Sequence, residues 1–357
     1  MNEQMLGLFV TGPGIGKVRL GQTPKPGYGQ ALIKMEYAGI CGGDPAIFEH
    51  NNYGGTPESP RVTGHEFYGK VVEINNPDNR PCRIKIGDMV VGPQDAPCGV
   101  CDQCVAGRPS ICSGQFGARR RPGGCFAEYF ERDIDRLFPV DPDIDPLVAV
   151  LAEPLAVATF DIRYTKVGIG PTVVIIGAGT VGRLIGMLCR LNGAARVVFA
   201  ELSEHRLEVM RSLGFDALNS MTEDIPLRMK ELTGGVGPDY VFETSGSQAG
   251  WDTSLDSVRY AGTVVPVGLP YKNRTVDFGK IYEKEIDLLS VNMHEVGDFA
   301  KAVDLINSRQ INKELRRLVT SIWPLEQAVE AIAASTDKEG NDINIVIRPG
   351  LDQKIVY

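Results

Sequence analysis

A glycine-rich turn between an apolar run and a helical segment constrains the fold of this chain more than any other feature. Val173-Val-Ile-Ile176 is apolar throughout, as expected of a strand buried on both faces of a parallel sheet. Gly177-Ala-Gly179-Thr-Val-Gly182 follows it directly, and apolar residues then recur at helical spacing. A GxGxxG sequence is a weak signal alone and a strong one between a strand and a helix. We therefore predict a doubly wound parallel α/β sheet of the Rossmann type here.

The residues around this turn predict a dinucleotide site. The first glycine permits a tight turn, the second lets the backbone approach a diphosphate, and the third allows the helix to pack closely on the strand. An acid is expected about 20 residues further on, where it binds both ribose hydroxyls and repels a 2′-phosphate. Glu201 occupies that position, so NAD is favoured over NADP. Arg206 would stack on adenine or attract such a phosphate. In the alternative interpretation, the glycines serve packing alone and Glu201 is a solvated loop acid. The predicted cofactor-binding residues are Gly177, Gly179, Thr180, Val181, Gly182, Glu201, Arg206 and Gly268.

Four cysteines form a second specific pattern. Spacings of two, two and seven residues separate Cys98, Cys101, Cys104 and Cys112 and bring four thiolates onto one short lobe. Such a cage favours Zn²⁺ and leaves no position for water, so it stabilises a loop and does no chemistry. An iron–sulfur cluster also takes four cysteines, but its usual spacings differ. Unrelated buried thiols are the remaining alternative.

Composition limits the class of protein. The chain has 357 residues, enough for two domains. Its first part reads as short β segments broken by Gly and Pro, and the pattern changes after Leu151. A net charge of −8 opposes binding to nucleic acid or anionic membranes. No apolar run reaches the ~18 residues of a membrane span, and the N-terminus lacks the features of a signal peptide. The eight cysteines fit a reducing cytoplasm.

A more scattered set of potential metal ligands comprises Cys41, His65, Glu66 and Glu153, in segments rich in Gly or Pro. One thiolate, one imidazole and one carboxylate make a three-ligand zinc site that leaves a position for water or substrate. By residue type alone, however, a single Cys is more often a core residue and a single His a satisfied hydrogen-bonding group.

Together these motifs resemble the zinc-containing medium-chain dehydrogenases/reductases, the alcohol and polyol dehydrogenase family. The His-Glu and Glu-Pro-Leu sequences are similar to its polyol, sugar and threonine dehydrogenase branch. The resemblance covers nearly the whole chain, in the family's order, at Cys41-Gly42, Gly64-His65-Glu66, Gly87-Asp88-Met-Val, the four-cysteine lobe, Phe126-Ala-Glu-Tyr129, Glu153-Pro154-Leu155 and Gly177 to Gly182.

This resemblance implies a GroES-like, β-rich catalytic domain over residues 1–154, with a structural zinc lobe at about 95–114. A Rossmann domain would follow over 155–293, and 294–357 would return to the catalytic domain. The catalytic zinc would be bound by Cys41, His65 and Glu66, with Glu153 as a near or exchanging ligand. With the structural ion, two zinc ions per chain are expected. A homodimer or homotetramer is also implied, with the strand near Leu288–Met293 as a contact.

The proton pathway departs from the family pattern. In this family, zinc lowers the pKa of a substrate hydroxyl and a hydride passes to the nicotinamide. The proton leaves through a Ser or Thr two residues after the cysteine and a His three residues later. This chain has Gly43 and Ala46 there, and neither carries a proton. A hydroxyl of the substrate would substitute, or Asp44 would only orient its loop. Side chains that would substitute through a water chain are Asp44, Glu49, His50 and Glu153.

The expected function is hydride transfer between NAD and a secondary alcohol of a sugar, polyol or cyclitol. One alternative is an L-threonine-type amino alcohol dehydrogenase. Another is a reductase of an activated alkene, imine or ketone, which Gly43 and Ala46 favour. A non-enzymatic dinucleotide-binding protein is opposed by the four potential zinc ligands. A small polar substrate, with no nucleic acid or membrane partner, is expected in the cytoplasm. Specificity residues are expected in loops 48–53, 115–121 and 267–271.

Overall fold

The structure is a computed structural model that describes residues 3–94, 97–114, 123–269, 273–337 and 342–357. Loop 115–121 and part of loop 267–271, which carry predicted specificity residues, lie outside these ranges. The described strands are β1 (Gln4–Gly12), β2 (Ile15–Gln22), β3 (Gln30–Gly39), β4 (Arg61–Val62), β5 (Glu66–Asn75), β6 (Met89–Val91), β7 (Tyr129–Asp133), β8 (Phe138–Pro139), β9 (Thr172–Ile176), β10 (Arg196–Glu201), β11 (Asp216–Asn219), β12 (Tyr240–Glu243), β13 (Thr263–Pro266), β14 (Asp287–Leu288), β15 (Ser321–Pro324), β16 (Ile345–Arg348) and β17 (Ile355–Val356). The described α-helices are α1 (Asp44–Glu49), α2 (Asp102–Val105), α3 (Pro146–Ala149), α4 (Ala152–Thr165), α5 (Thr180–Leu191), α6 (Glu204–Ser212), α7 (Ile225–Leu232), α8 (Gln248–Ser257), α9 (Phe278–Lys284), α10 (Val296–Asn307), α11 (Asn312–Arg316) and α12 (Ala328–Ala334).

The chain divides into two compact units. The first comprises Met1–Ala156 and Glu295–Tyr357, and the second comprises Val157–His294. No helix among the described residues combines the length and apolar character needed to cross a bilayer.

The second unit is built on a six-stranded parallel sheet in the order β11-β10-β9-β12-β13-β14. Strand β9 contains the apolar run identified in the sequence, and four of its five residues are buried because helices cover the sheet. Helix α5 packs against β9 and β10, and α6 against β10 and β11. This strand order is that of doubly wound dinucleotide-binding domains, which confirms the predicted Rossmann fold.

The first unit is rich in short strands, as predicted. Its larger sheet has the order β17-β15-β16-β3-β5-β6-β8, with β7 also paired to β3, and a smaller sheet has the order β2-β1-β4. Ile33 of β3 and Phe67 of β5 lie in one buried apolar core with Phe126 and Phe130. The rings of Phe67 and Phe130 meet edge to face, with centroids 4.8 Å apart. Burial of each such side chain stabilises the folded state by roughly 1.5–3 kcal/mol. Strands β3 and β5 therefore hold the residues at their ends in fixed positions.

Candidate metal and dinucleotide sites

Cys41, His65 and Glu66 come together at one end of the strand pair β3–β5. Cys41 follows β3 closely, His65 precedes β5, and Glu66 is the first residue of β5. In the antiparallel register, Gly39 lies opposite Glu66. One ligand atom from each of the three residues lies within 4.8 Å of the others. A thiolate, an imidazole and a carboxylate at this separation fit a zinc ion and leave a fourth position for another ligand.

Two glycines make room for this cluster. Gly64 has a φ of +91°, in the left-handed region that favours glycine. A Cβ there would lie 2.5 Å from the ring of Phe126. A Cβ on Gly39 would lie 2.2 Å from Oε2 of Glu66. Larger residues at these positions would displace His65 or the Glu66 carboxylate.

Asp44 contacts two members of the cluster. Its side chain is 2% exposed. Its Oδ2 accepts a hydrogen bond from the backbone N–H of Cys41 at 2.9 Å, and its Oδ1 lies 3.5 Å from Nδ1 of His65. A carboxylate beside one ring nitrogen orients a histidine so that the other nitrogen faces the metal.

The pKa values reflect burial and crowding of charge. Burial raises the pKa of the Cys41 thiol to about 11, although His65 lowers it in part. Burial, with the charge of Glu153, raises the pKa of the Glu66 carboxyl to about 8. Burial alone would lower the pKa of His65, but the Asp44 carboxylate outweighs it and holds this pKa well above the usual range. A divalent cation would stabilise the anionic forms of Cys41 and Glu66.

The remaining predicted residues of this region lie outside the three-residue cluster. Glu153 is buried in the first turn of α4, and its negative charge raises the pKa of the Glu66 carboxyl. Glu49 and His50 are exposed at the C-terminal end of α1. The backbone N–H of Gly43 donates to Sγ of Cys41 at 3.4 Å. The roles of Glu49, His50 and Glu153 therefore stay predictions.

The four cysteines of the lobe lie around one point. Sγ of Cys112 is 3.7 Å from Sγ of Cys98 and from Sγ of Cys101, and the Sγ atoms of Cys98 and Cys104 are 4.0 Å apart. Four sulfur atoms at ~2.3 Å from a tetrahedral zinc are roughly 3.8 Å from one another, so this donor set fits the ion. The backbone N–H of Cys101 donates to Sγ of Cys98 at 3.0 Å, which favours a thiolate.

The glycine-rich turn joins β9 to α5. Gly177 has a φ of +100°. A Cβ on Gly182 would lie 2.3 Å from the carbonyl oxygen of Gly177, so Gly182 permits close packing. Gly179 is the N-cap of α5, which begins with Thr180 and Val181. A Cβ on Gly179 would meet nothing within 4 Å. That space, at the positive end of a helix, fits the diphosphate of a dinucleotide.

Glu201 ends β10, and its side chain is buried. Oε2 accepts a hydrogen bond from the backbone N–H of Ala178 at 2.7 Å, and Oε1 from that of Leu202 at 2.6 Å. Arg206 Nη1 lies 3.7 Å from Oε2. The alternative interpretation of Glu201 as a solvated loop acid is therefore wrong. Gly268 follows β13, and its N–H donates to the carbonyl of Glu243 at 2.8 Å; its contact with a cofactor stays a prediction.

Comparisons with known proteins decide the family. A family model described as alcohol dehydrogenase GroES-like domain matches residues 27–142, and one described as zinc-binding dehydrogenase matches residues 180–308. A sorbitol dehydrogenase from Halalkalibacterium halodurans is 30% identical over 331 residues, which cover 91% of this chain and 93% of that protein. The chain belongs to the zinc-containing alcohol dehydrogenase family.

Two further likenesses place the chain within the zinc-containing alcohol dehydrogenase family. An L-threonine 3-dehydrogenase from Shewanella baltica is 32% identical over 295 residues, 80% of this chain and 84% of that protein. The crystal structure of a Sinorhizobium meliloti protein bound to NADP has a TM-score of 0.87 at 27% identity and covers 98% of this chain and 100% of that one. The resemblance to the polyol and threonine branch is confirmed, and the chain is a zinc-dependent oxidoreductase with a nicotinamide cofactor.

Sequence reasoning missed two residues of these sites. Gly39 makes room for Glu66 only through the cross-strand register, which residue spacing does not reveal. Arg183 follows Gly182 directly and is fully buried in α5. An arginine beside Leu184 and Ile185, on an apolar stretch of a helix, was the signal that could have found it.

Proposed function

We propose that this chain oxidises a secondary alcohol of a small polyhydroxylated molecule, such as a sugar, polyol or cyclitol, with NAD⁺ as the hydride acceptor. The observation that carries the proposal is the cluster of Cys41, His65 and Glu66, whose ligand atoms lie within 4.8 Å of one another. Three such ligands suit a catalytic zinc because a fourth position remains for a substrate oxygen. Similarity to a sorbitol dehydrogenase supports the polyol class.

In this proposal Cys41, His65 and Glu66 would hold the catalytic zinc, with Glu153 as a near or exchanging ligand. Bound there, the zinc supplies a Lewis acid that lowers the pKa of a hydroxyl group. Asp44 orients His65 and fixes the backbone of Cys41. Burial of His65 and Glu66 keeps bulk water from these ligands.

The glycine-rich turn would hold the diphosphate, and Glu201 the adenosine ribose. NAD held there would supply the hydride acceptor. The open space at Gly179 supports the first assignment, and the position of Glu201 at the end of β10 supports the second. Glu201 favours NAD over NADP by its charge. Gly268, after β13, would complete the cofactor contacts.

The proton needs a route that avoids Gly43 and Ala46. We place it at Glu49 and His50, reached through water or through a second hydroxyl of the substrate. Their exposure at the end of α1 supports this route, because a proton released there passes directly to solvent.

The four-cysteine lobe would hold a structural zinc, so that each chain carries two ions. We assign the catalytic domain to residues 1–154 and 294–357 and the Rossmann domain to 155–293, and the division into compact units supports this assignment. The eight cysteines favour a reducing cytoplasm.

We further propose a homodimer or homotetramer. Strand β14 lies at the end of the parallel sheet, and an exposed sheet edge is a template for pairing. Phe278 and Tyr282 of α9 are 72% and 87% exposed, which would provide apolar area next to such a contact.

A second candidate function is reduction of an activated alkene, imine or ketone. The observation that favours it is that Gly43 and Ala46 carry no proton. Conjugate reduction of an activated alkene takes its proton at carbon and needs no relay to a hydroxyl oxygen, whereas reduction of an imine or ketone would take its proton by an altered route. The retained ligand cluster favours the first proposal over this one.

The experiment is to incubate zinc-replete protein with NAD⁺ or NADP⁺ and a panel of sugars, polyols, cyclitols, threonine and simple alcohols, following the absorbance of the reduced cofactor. Turnover of a polyhydroxylated compound is expected. Turnover of threonine alone would move the proposal to amino alcohols. If the protein binds NADH but turns over no compound of the panel, the proposal is contradicted and the second candidate function, a reductase, is favoured.

A further inference from the structure

A serine of the four-cysteine lobe is bound by a glutamate that lies 185 residues further along the chain. Oγ of Ser110 donates to Oε1 of Glu295 at 2.6 Å, and the backbone N–H of Ser110 donates to Oε2 at 3.3 Å. Ser110 is 1% exposed, so water competes little for these hydrogen bonds. Hydrogen bonds to a charged group are the strong ones. Two of them on one residue therefore hold Ser110 firmly against Glu295.

The position of Ser110 depends on closure of the lobe. Ser110 lies between Cys104 and Cys112 in a single 3-10 turn, Pro109–Ile111. The helix before it, α2, has four residues. Helical segments as short as these are not stable by themselves. A metal ion bound by Cys104 and Cys112 would close the segment between them and so fix Ser110.

Glu295 carries the first turn of α10. It is the N-cap of this helix and the first residue of the segment that returns to the first unit. Its carbonyl accepts the N–H groups of Asp298 and Phe299 at 3.0 and 3.1 Å, and its N–H donates to Oδ2 of Asp298 at 3.2 Å. Glutamate is not among the residues preferred as an N-cap. The contact with Ser110 gives a reason for a glutamate at this position.

The rest of α10 is held without the lobe. The ring of Phe299 packs on that of Phe138, with centroids 5.1 Å apart. Oδ1 of Asn307, the last residue of α10, accepts the backbone N–H of Asp141 at 3.1 Å. Arg309, just beyond the helix, donates to Oδ2 of Asp141 at 2.9 Å. Loss of the contact with the lobe should therefore loosen the first turn of α10 and leave the last turn in place.

We propose that Glu295 is an outer support of the lobe metal site and couples metal binding in the lobe to the first turn of α10. This inference rests on the proposed structural zinc and not on the proposed reaction. A metal that fixes Ser110 stabilises its hydrogen bonds to Glu295, and by linkage Glu295 raises the metal affinity of the lobe by the same factor. The lobe then anchors the start of the returning segment, which supplies β15 and β16 to the larger sheet.

The first test measures the zinc affinity of the lobe by competition with a chelator on the full chain. All proteins carry Cys41→Ser, so that the lobe ion alone is measured. Glu295→Gln keeps the size of the side chain and one acceptor oxygen but removes the charge, and it is expected to lower the zinc affinity by about tenfold. Glu330→Gln is the matched control, because Glu330 also lies in the first turn of a helix, α12, and is exposed.

The second test follows amide hydrogen exchange in α10 of the wild type, Ser110→Ala, Cys98→Ser and the double variant. Cys98 lies at the other end of the lobe, so its substitution should reach α10 only through the metal. Each single variant is expected to exchange the amides of Asp298 and Phe299 about tenfold faster and those of Val303–Asn307 at the wild-type rate. The double variant should exchange at most about twofold faster than either single variant, because both substitutions break the same link.

The inference is overturned if Glu295→Gln and its control bind zinc equally, or if the two effects on exchange multiply in the double variant. It is also overturned if Cys98→Ser has lost the lobe zinc by metal analysis and exchanges as the wild type does. Thermal unfolding reports whether each variant is folded. If Cys98→Ser does not fold, the comparison of Glu295→Gln with its control decides. A wild-type lobe that binds no zinc would contradict the inference together with the proposed structural site, whereas the predicted coupling without turnover of any alcohol would contradict only the proposed reaction.

Discussion

Replacing Asp44 by asparagine tests whether its charge orients His65 in the proposed zinc site of Cys41, His65 and Glu66. The substitution keeps the size of the side chain and an oxygen that accepts the Cys41 N–H, which lies 2.9 Å from Oδ2. It removes the negative charge 3.5 Å from Nδ1 of His65. Loss of such a carboxylate–histidine contact costs about 10- to 100-fold in metal affinity, or roughly 1.4–2.7 kcal/mol. We expect Asp44→Asn to lower the zinc affinity of the cluster of Cys41, His65 and Glu66 by this amount.

The assay is a competition for zinc with a chromophoric chelator, followed by a count of zinc per chain. Asp88→Asn is the matched control, because Oδ2 of Asp88 accepts the backbone N–H of Lys85 at 2.9 Å, also three residues earlier, in an exposed loop. Asp44→Asn should lose one ion at chelator concentrations at which the control keeps both. Equal zinc retention by the two variants would refute the positioning role of Asp44.

Three further predictions concern separate parts of the chain. Gly179→Ala should have a free energy of unfolding within about 0.5 kcal/mol of the wild type and bind NADH at least about tenfold more weakly. Gly182→Ala should lower the unfolding temperature, because its Cβ would lie 2.3 Å from a carbonyl oxygen. Normal NADH binding by Gly179→Ala would contradict the diphosphate assignment. Cys112→Ser should lose the zinc ion of the lobe, and its turnover should become sensitive to mild heating. If metal analysis shows that Cys112→Ser keeps this ion, the four-thiolate site is contradicted. Lys284→Met should lower the free energy of unfolding, measured by chemical denaturation, by about 1–3 kcal/mol, because Nζ donates to three carbonyls at the end of α8. Lys280→Met, which removes a surface ion pair with Asp256, should lower it by less than about 1 kcal/mol.

The fold was predictable because its signals are local. The apolar run Val173–Ile176 and the glycines after it define a strand, a turn and a helix within a few residues, and such units assemble into a parallel sheet. The four cysteines are close in sequence, so their convergence follows from spacing. The nature of the first unit followed from the resemblance, since its short strands carry little periodicity of their own.

The contacts that complete the sites were not predictable because they cross the chain. Gly39 faces Glu66 through strand register. Ser110 of the lobe donates to Glu295 at 2.6 Å across 185 residues of sequence, which composition does not reveal. Arg183 was overlooked because arginine is rarely buried, so its place inside α5 needed the structure.

Metal content and turnover measured together in Cys41→Ser test the central claim most directly. The wild type should hold about two zinc ions per chain, and Cys41→Ser about one. The variant should keep its unfolding temperature and its affinity for NADH and lose turnover of the polyol that the wild type oxidises. Turnover at the wild-type rate by a Cys41→Ser protein that holds one zinc would contradict a catalytic zinc at Cys41, His65 and Glu66.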